Sequence, residues 1–148
     1  MEIIISHQRT DFDGLAAMVA AQKLHPEAIM VFPGKVSNNV DRFMSLYKDR
    51  ITVKTPKEID QERITKLILV DPHLPARTGP FSDLFAQQDV EVVVYDHHDD
   101  KEETPVATVW ELISKVGATT TILVNKLKQQ EQEITSFEAT LFALGIYE

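Results

Sequence analysis

The stretch Val90-Glu91-Val92-Val93-Val94-Tyr95-Asp96-His97-His98 joins a strand directly to a set of acid and imidazole side chains. Val90 to Tyr95 is rich in β-branched and aromatic residues, with Glu91 as the one charged interruption. Leu67-Ile68-Leu69-Val70 is a second strand of this kind, followed by Asp71 and closed by Pro72. Strands this apolar suit a sheet covered on both faces, and such sheets are mostly parallel.

Working outward, Ile3 to Ser6 reads as a first strand. Gly14 to Leu24 carries Leu15, Met18, Val19 and Leu24 at helical spacing, and Pro26 stops it. Ala28 to Phe32 is a strand closed by Pro33-Gly34. Ser37, Asn38 or Asn39 can cap a helix running through Tyr47, with Val40, Phe43, Met44 and Tyr47 on one face. Ile51 to Val53 reads as a brief strand, and Phe81 to Gln88 as a helix. Three helices follow, over Thr108–Val116, Ala118–Gln130 and Ser136–Leu144, with Trp110 as a core residue of the first. The expected fold is α/β: a mostly parallel sheet of about five strands with helices on both faces. There is no internal repeat or low-complexity linker, so residues 1–148 read as a single domain.

The 148 residues are 43% hydrophobic and 26% charged, which places the chain among globular rather than disordered proteins. The formal net charge is -8, which argues against a large nucleic-acid footprint held by phosphates. It does not exclude a phosphate site built on divalent cations, which reverse the charge locally. The chain has no cysteine, so disulfides and thiolate metal sites are ruled out. No apolar run approaches the ~20 residues that span a bilayer, and Met1 to Ile5 lacks the pattern of a signal peptide. A cytoplasmic location is the default expectation.

The acids and histidines gather at strand ends. His7, Asp11 and Asp13 follow the first strand, Asp71 follows Leu67–Val70, and Asp96, His97 and His98 follow Val90–Tyr95. In an open parallel sheet, ligands collect at the carboxyl ends of the strands. Two carboxylates at ~4 Å repel by ~4 kcal/mol at an effective dielectric of ~20. Arg9 is the one cation within these motifs, so a divalent ion is the natural compensation. Mixed imidazole and carboxylate ligation suits Mn²⁺, with Fe²⁺, Co²⁺ or Zn²⁺ as competitors, whereas Mg²⁺ and Ca²⁺ favour oxygen shells.

Taken singly, each element has a plainer reading. His7 alone is a surface polar residue. Asp11-Phe12-Asp13-Gly14 is a turn with a helix cap, and Asp71-Pro72 is a turn. Their joint placement at strand ends is what favours a site. Gly117-Ala118-Thr119-Thr120-Thr121 reads either as a helix N-terminus open to a phosphate or as a threonine cap with β-branched packing. Lys35 and Arg77 read either as substrate contacts or as surface charge.

His7-x3-Asp11-x-Asp13-Gly14, the lone Asp71 and Asp96-His97-His98 resemble the first three motifs of the DHH phosphoesterase superfamily. That group includes single-strand exonucleases, oligoribonucleases, cyclic-dinucleotide phosphodiesterases and family II inorganic pyrophosphatases. Val116 to Leu123 and Glu138 to Glu148 are most similar to a branch joined to tRNA nucleotidyltransferase or poly(A) polymerase modules. The resemblance implies two metal ions, with Mn²⁺ expected and Mg²⁺ or Co²⁺ as alternatives. His7, Asp11 and Asp71 would hold one ion, and Asp13, Asp71 and His97 the other. His98 would face the substrate phosphate and Asp96 would orient the histidines, the two forming the catalytic pair. The implied substrate is a nucleotide or short single-stranded oligonucleotide. The family's fourth motif and its second, substrate-binding domain would follow Glu148, so the resemblance implies a metal site lacking one ligand and little turnover.

Two other readings stand beside the enzyme. One is a non-catalytic metal- or nucleotide-binding module of a larger RNA-processing protein. The other is a phospho-acceptor receiver domain, disfavoured because Asp96-His97-His98 stands where that family places a lysine.

Overall fold

The computed structural model describes residues 1–71, 75–96, 109–112 and 118–147, with the backbone alone for 75–77, 96 and 109–112. The strands are β1 (Glu2–Ile5), β2 (Ile29–Met30), β3 (Lys66–Val70), β4 (Glu91–Asp96) and β5 (Val109–Leu112). The helices are α1 (Phe12–Leu24), α2 (Asn38–Tyr47), α3 (Thr119–Gln129) and α4 (Ser136–Tyr147). The sheet order is β2-β1-β3-β4-β5, and every pairing is parallel.

Alternation along the strands divides the core in two. Ile4, Ile68, Val70, Val93 and Tyr95 point to one face, where α1, α3 and α4 supply Leu15, Met18, Leu123, Leu127, Leu141 and Phe142. Ile3, Ile5, Leu67, Leu69, Val92 and Val94 point to the other. Both faces are buried, which is why these strands read as unbroken apolar runs. Among the described residues the second face is covered by Ile59, Ile64, Phe81 and Leu84. These come from 3₁₀ turns and their flanks rather than from α-helices. The helix expected over Phe81–Gln88 is instead the end of a 3₁₀ segment, Pro75–Ala86, broken at Gly79.

Two expected elements need correction. The Thr108–Val116 helix is replaced, where described, by β5, which pairs Val109 with Val93 and Leu112 with Asp96; the rest of that span lies outside the described residues. Val109-Trp110-Glu111-Leu112 is short and β-prone, and the open edge of β4 offers it a ladder of backbone partners, which outweighs a weak helical period. Ile51–Val53 is not a strand. Lys54 alone bridges to Val31, through Phe32 N–H to Lys54 O at 3.0 Å and Lys54 N–H to Met30 O at 2.9 Å. The expected count of five strands holds, with one member exchanged.

The carboxyl ends of β1, β3 and β4 lie side by side in register, Ile5 beside Leu69 and Val70 beside Tyr95. The segments that follow them therefore meet at one edge. Behind that edge, α4 crosses α1 closely at Gly145. A Cβ built there would stand 2.6 Å from Ala16 Cβ, 2.9 Å from Thr120 Oγ1 and 3.1 Å from Phe12 O. None of these atoms is the end of a flexible side chain.

Replacing glycine by alanine inside an exposed helix is worth about 1 kcal/mol in propensity. At Gly145 the sign reverses: Gly145→Ala is expected to destabilise by about 1–3 kcal/mol through overpacking. Urea unfolding of the two chains measures this, and a stabilised variant would refute the close crossing.

Candidate metal centre

The loop after β1 turns back sharply to start α1. Gly14 permits this, because a Cβ there would lie 2.8 Å from Ser6 Oγ and 2.9 Å from Thr10 Cγ2. Asp11 is the N-cap of α1, and its Oδ1 accepts from Gly14 N–H at 2.9 Å. The plain reading of Asp11 as a helix cap is therefore correct. The same oxygen faces His7 Nε2 at 3.8 Å, while Asp71 Oδ2 faces that nitrogen at 3.5 Å. One ligand atom from each of His7, Asp11 and Asp71 fits within a 4.8 Å span, a spacing that suits a single metal ion.

His7 Nδ1 lies 2.6 Å from Gln8 O. A carbonyl only accepts, so Nδ1 carries a proton and Nε2 is the nitrogen turned toward the carboxylates. In the neutral ring, Nε2 therefore presents its lone pair to the space between Asp11 and Asp71. Both His7 and Asp71 are buried. Ser6 Oγ, also buried, has no hydrogen-bond partner among the described residues. A cluster of one imidazole and two carboxylates is a donor set that fits a divalent cation.

Asp71 departs from ordinary backbone geometry, with φ +72°. Aspartate and asparagine enter the left-handed region more readily than other side-chain-bearing residues, yet such conformers still carry strain of order 1 kcal/mol. Its N–H donates to Tyr95 O at 3.0 Å, which ties the strained residue to β4. Arg9 is a second left-handed residue, φ +61°, held by its N–H to Lys35 O at 2.7 Å. Its side chain is exposed and forms no ion pair among the described residues, so Arg9 does not compensate the acids.

Asp13 is placed differently from Asp11. It projects from the first turn of α1 onto the start of α3. Asp13 Oδ2 accepts from Thr119 N–H at 3.1 Å, and Oδ1 accepts from Thr120 N–H at 2.9 Å and Thr120 Oγ1–H at 2.7 Å. Thr119 Oγ1–H donates to Asp71 Oδ1 at 3.0 Å. The threonine run thus meets two acids rather than standing open to a phosphate. The threonine cap is not formed either: the N-cap of α3 is Ala118, and a distant aspartate accepts from the first N–H groups of the helix. The only hint in the sequence was a helix start at Ala118 with no capping side chain of its own.

The acids and the imidazole perturb one another. Burial alone would lower the pKa of His7, but the Asp11 and Asp71 carboxylates beside it, with the Gln8 carbonyl, push it up to about 10. Burial would raise Asp11, but the His7 ring and the Gly14 N–H together outweigh it, so Asp11 lies below the usual carboxylate range. Burial and the neighbouring Asp71 charge push Asp13 up to about 6, against the hydrogen bonds from Thr120 and Thr119. One imidazolium does not neutralise three carboxylates, and a divalent cation would offset more of their charge.

Asp96 ends β4, with its backbone at the same sheet edge. His97 and His98 lie outside the described residues, as does Arg77's side chain. Lys35 is exposed, in the loop after β2.

A parallel α/β domain with a histidine-carboxylate cluster at the carboxyl edge of its sheet is the class that fold and site define. Residues 2–146 match the family described as "DHH family, N-terminal domain", and the chain belongs to that family. An A-adding tRNA nucleotidyltransferase of Geobacter sulfurreducens is 40% identical over 149 residues. Another protein of that name, from Aquifex aeolicus, is 31% identical over 150 residues. The matches cover 100% and 99% of this chain but only 17% and 16% of those proteins. An exopolyphosphatase-related protein from Bacteroides fragilis shares the fold, with a TM-score of 0.76 at 15% identity, covering 97% of this chain and 44% of that one. Among the described residues, no helix is long and apolar enough to cross a membrane.

Asparagine tolerates the left-handed backbone that Asp71 adopts. Asp71→Asn is therefore expected to fold, while losing the charge the cluster needs. A ligand at one hundred times its Kd stabilises a protein by about 2.7 kcal/mol. Mn²⁺ is expected to raise the unfolding midpoint of the unsubstituted chain and to leave that of Asp71→Asn unmoved. Equal shifts in the two would mean the ion binds elsewhere.

Proposed function

We propose that this domain is a metal-dependent phosphoesterase that hydrolyses phosphodiester or phosphoanhydride bonds of nucleotides or short oligonucleotides. The observation that carries the reading is His7 Nε2 turned into the space between Asp11 and Asp71. His7, Asp11 and Asp71 would hold one divalent ion; Asp13, Asp71 and His97 would hold a second, with Asp71 shared. Mn²⁺ is the favoured ion because the ligands mix imidazole and carboxylate, with Mg²⁺ or Co²⁺ as alternatives. When bound, such ions supply an activated water at neutral pH and neutralise charge on the phosphoryl group.

The rest of the chemistry falls to the chain itself. Gln8 O fixes the His7 tautomer, and the α1 N-terminus fixes Asp11. Asp96 would orient the histidines that follow it, and His98 would meet the substrate phosphate. The overall charge of -8 favours a small substrate reached through metal over a long polyanion gripped by basic residues.

A second reading has its own support. The relatives at 40% and 31% identity are named for nucleotide addition to tRNA, and this chain matches only a small part of each. The domain would then be a metal- and nucleotide-binding module of an RNA-processing protein.

Hydrolysis of a 5′-phosphorylated dinucleotide and of bis(p-nitrophenyl) phosphate in Mn²⁺ separates the two. The first reading expects slow but Mn²⁺-dependent mononucleotide or nitrophenol release that falls to background in Asp11→Asn and His7→Ala. Mn²⁺-dependent nucleotide binding without Asp11-dependent hydrolysis would favour the second.

A further inference from the structure

Thr119 and Thr120 are both fully buried, and both turn their hydroxyls onto acids of the cluster. Five hydrogen bonds run from these two residues to Asp13 and Asp71, over 2.7–3.2 Å, including one from Thr120 Oγ1 to the Asp13 carbonyl. Helix capping alone does not call for this arrangement. A serine or aspartate at position 118 would satisfy the first N–H groups of α3 locally. Here Ala118 occupies that position, and the acceptor comes from a residue 106 or 107 positions earlier in the chain. The hydroxyl of Thr119 adds nothing to the cap, since it reaches Asp71 instead. Asp71 is also the residue that faces His7.

We propose that Thr119 and Thr120 are positioning residues that set the Asp13 and Asp71 carboxylates in the orientation that binds metal. Asp13 is held at both oxygens by the first turn of α3, whose helix dipole places partial positive charge beside it. Asp71 is held through Oδ1 by Thr119, with Oδ2 toward His7. The hydroxyls prevent the two acids from swinging apart under their mutual repulsion. They thereby lower the reorganisation needed when a cation arrives. Gly145 completes the device, because its missing side chain leaves room for Thr120 Oγ1. This proposal rests on the metal-site reading above.

The test is Mn²⁺ binding to the 148-residue chain, read by calorimetry and by the loss of the free-ion paramagnetic resonance signal. Thr119→Val and Thr120→Val keep shape and backbone donors while removing the hydroxyl. Each is expected to weaken Mn²⁺ binding by about 10- to 100-fold, the range seen when a hydrogen-bond partner of a metal ligand is removed. Thr119→Ser and Thr120→Ser are expected to restore it. Unfolding of the metal-free proteins is followed in parallel. Valine variants that lose stability but bind Mn²⁺ like the unsubstituted chain would overturn the proposal, since a plain helix cap behaves that way. If Thr120→Val fails to fold, Thr119→Val decides, because its hydroxyl takes no part in the cap. An unsubstituted chain that takes up no Mn²⁺ would instead defeat the metal-site reading itself.

Discussion

The site depends on a charge imbalance: acids from two segments of the chain, the start of α1 and the end of β3, converge on one buried imidazole. His7 stands between Asp11 and Asp71, and Asp13 is close enough for Asp71 to shift its proton affinity. Like charges brought together in a partly buried place must be balanced. The chain supplies part of the balance through the His7 ring and part through the N–H groups and hydroxyls at the start of α3. What remains is a demand for a cation. The left-handed backbone at Asp71 belongs to the same picture, a strained residue held in place by its bond to β4.

The parallel sheet makes this convergence possible. Parallel pairing puts the carboxyl ends of β1, β3 and β4 at one edge, so residues far apart in sequence become neighbours without long loops. Packing on both faces fixes the register, since a one-residue slip would move every strand side chain to the opposite face and the wrong partners. The strand ends are thus set by packing, and the acids inherit that placement.

Much of this was legible in the sequence because the controlling signals are local. Apolar runs at Ile3–Ile5, Leu67–Val70 and Val92–Tyr95 mark buried strands, and each is followed at once by its polar residues. The helix starts at Asp11 and Ser37 carry capping side chains that the structure uses. What escaped has physical causes. Val109–Leu112 is too short for its periodicity to outweigh the pairing offered by β4. Ile51–Val53 is apolar enough for a strand but finds only one bridge, at Lys54. Arg9 looked like a counter-charge from its position, yet its backbone geometry leaves the side chain in solvent. The grip of Thr119 and Thr120 on Asp13 and Asp71 joins residues 48 to 107 positions apart, and no local pattern announces such a pairing.

Membership of the DHH family and the shared fold rest on the whole chain, whereas the chemistry rests on three side chains. The most direct measurement is therefore a crystal of this chain soaked in Mn²⁺, with anomalous diffraction collected at the manganese edge. The account predicts a peak within bonding distance of His7 Nε2 and of carboxylate oxygens from Asp11 and Asp71. An ordered His7–Asp11–Asp71 cluster with no peak, or with manganese bound elsewhere, would contradict it.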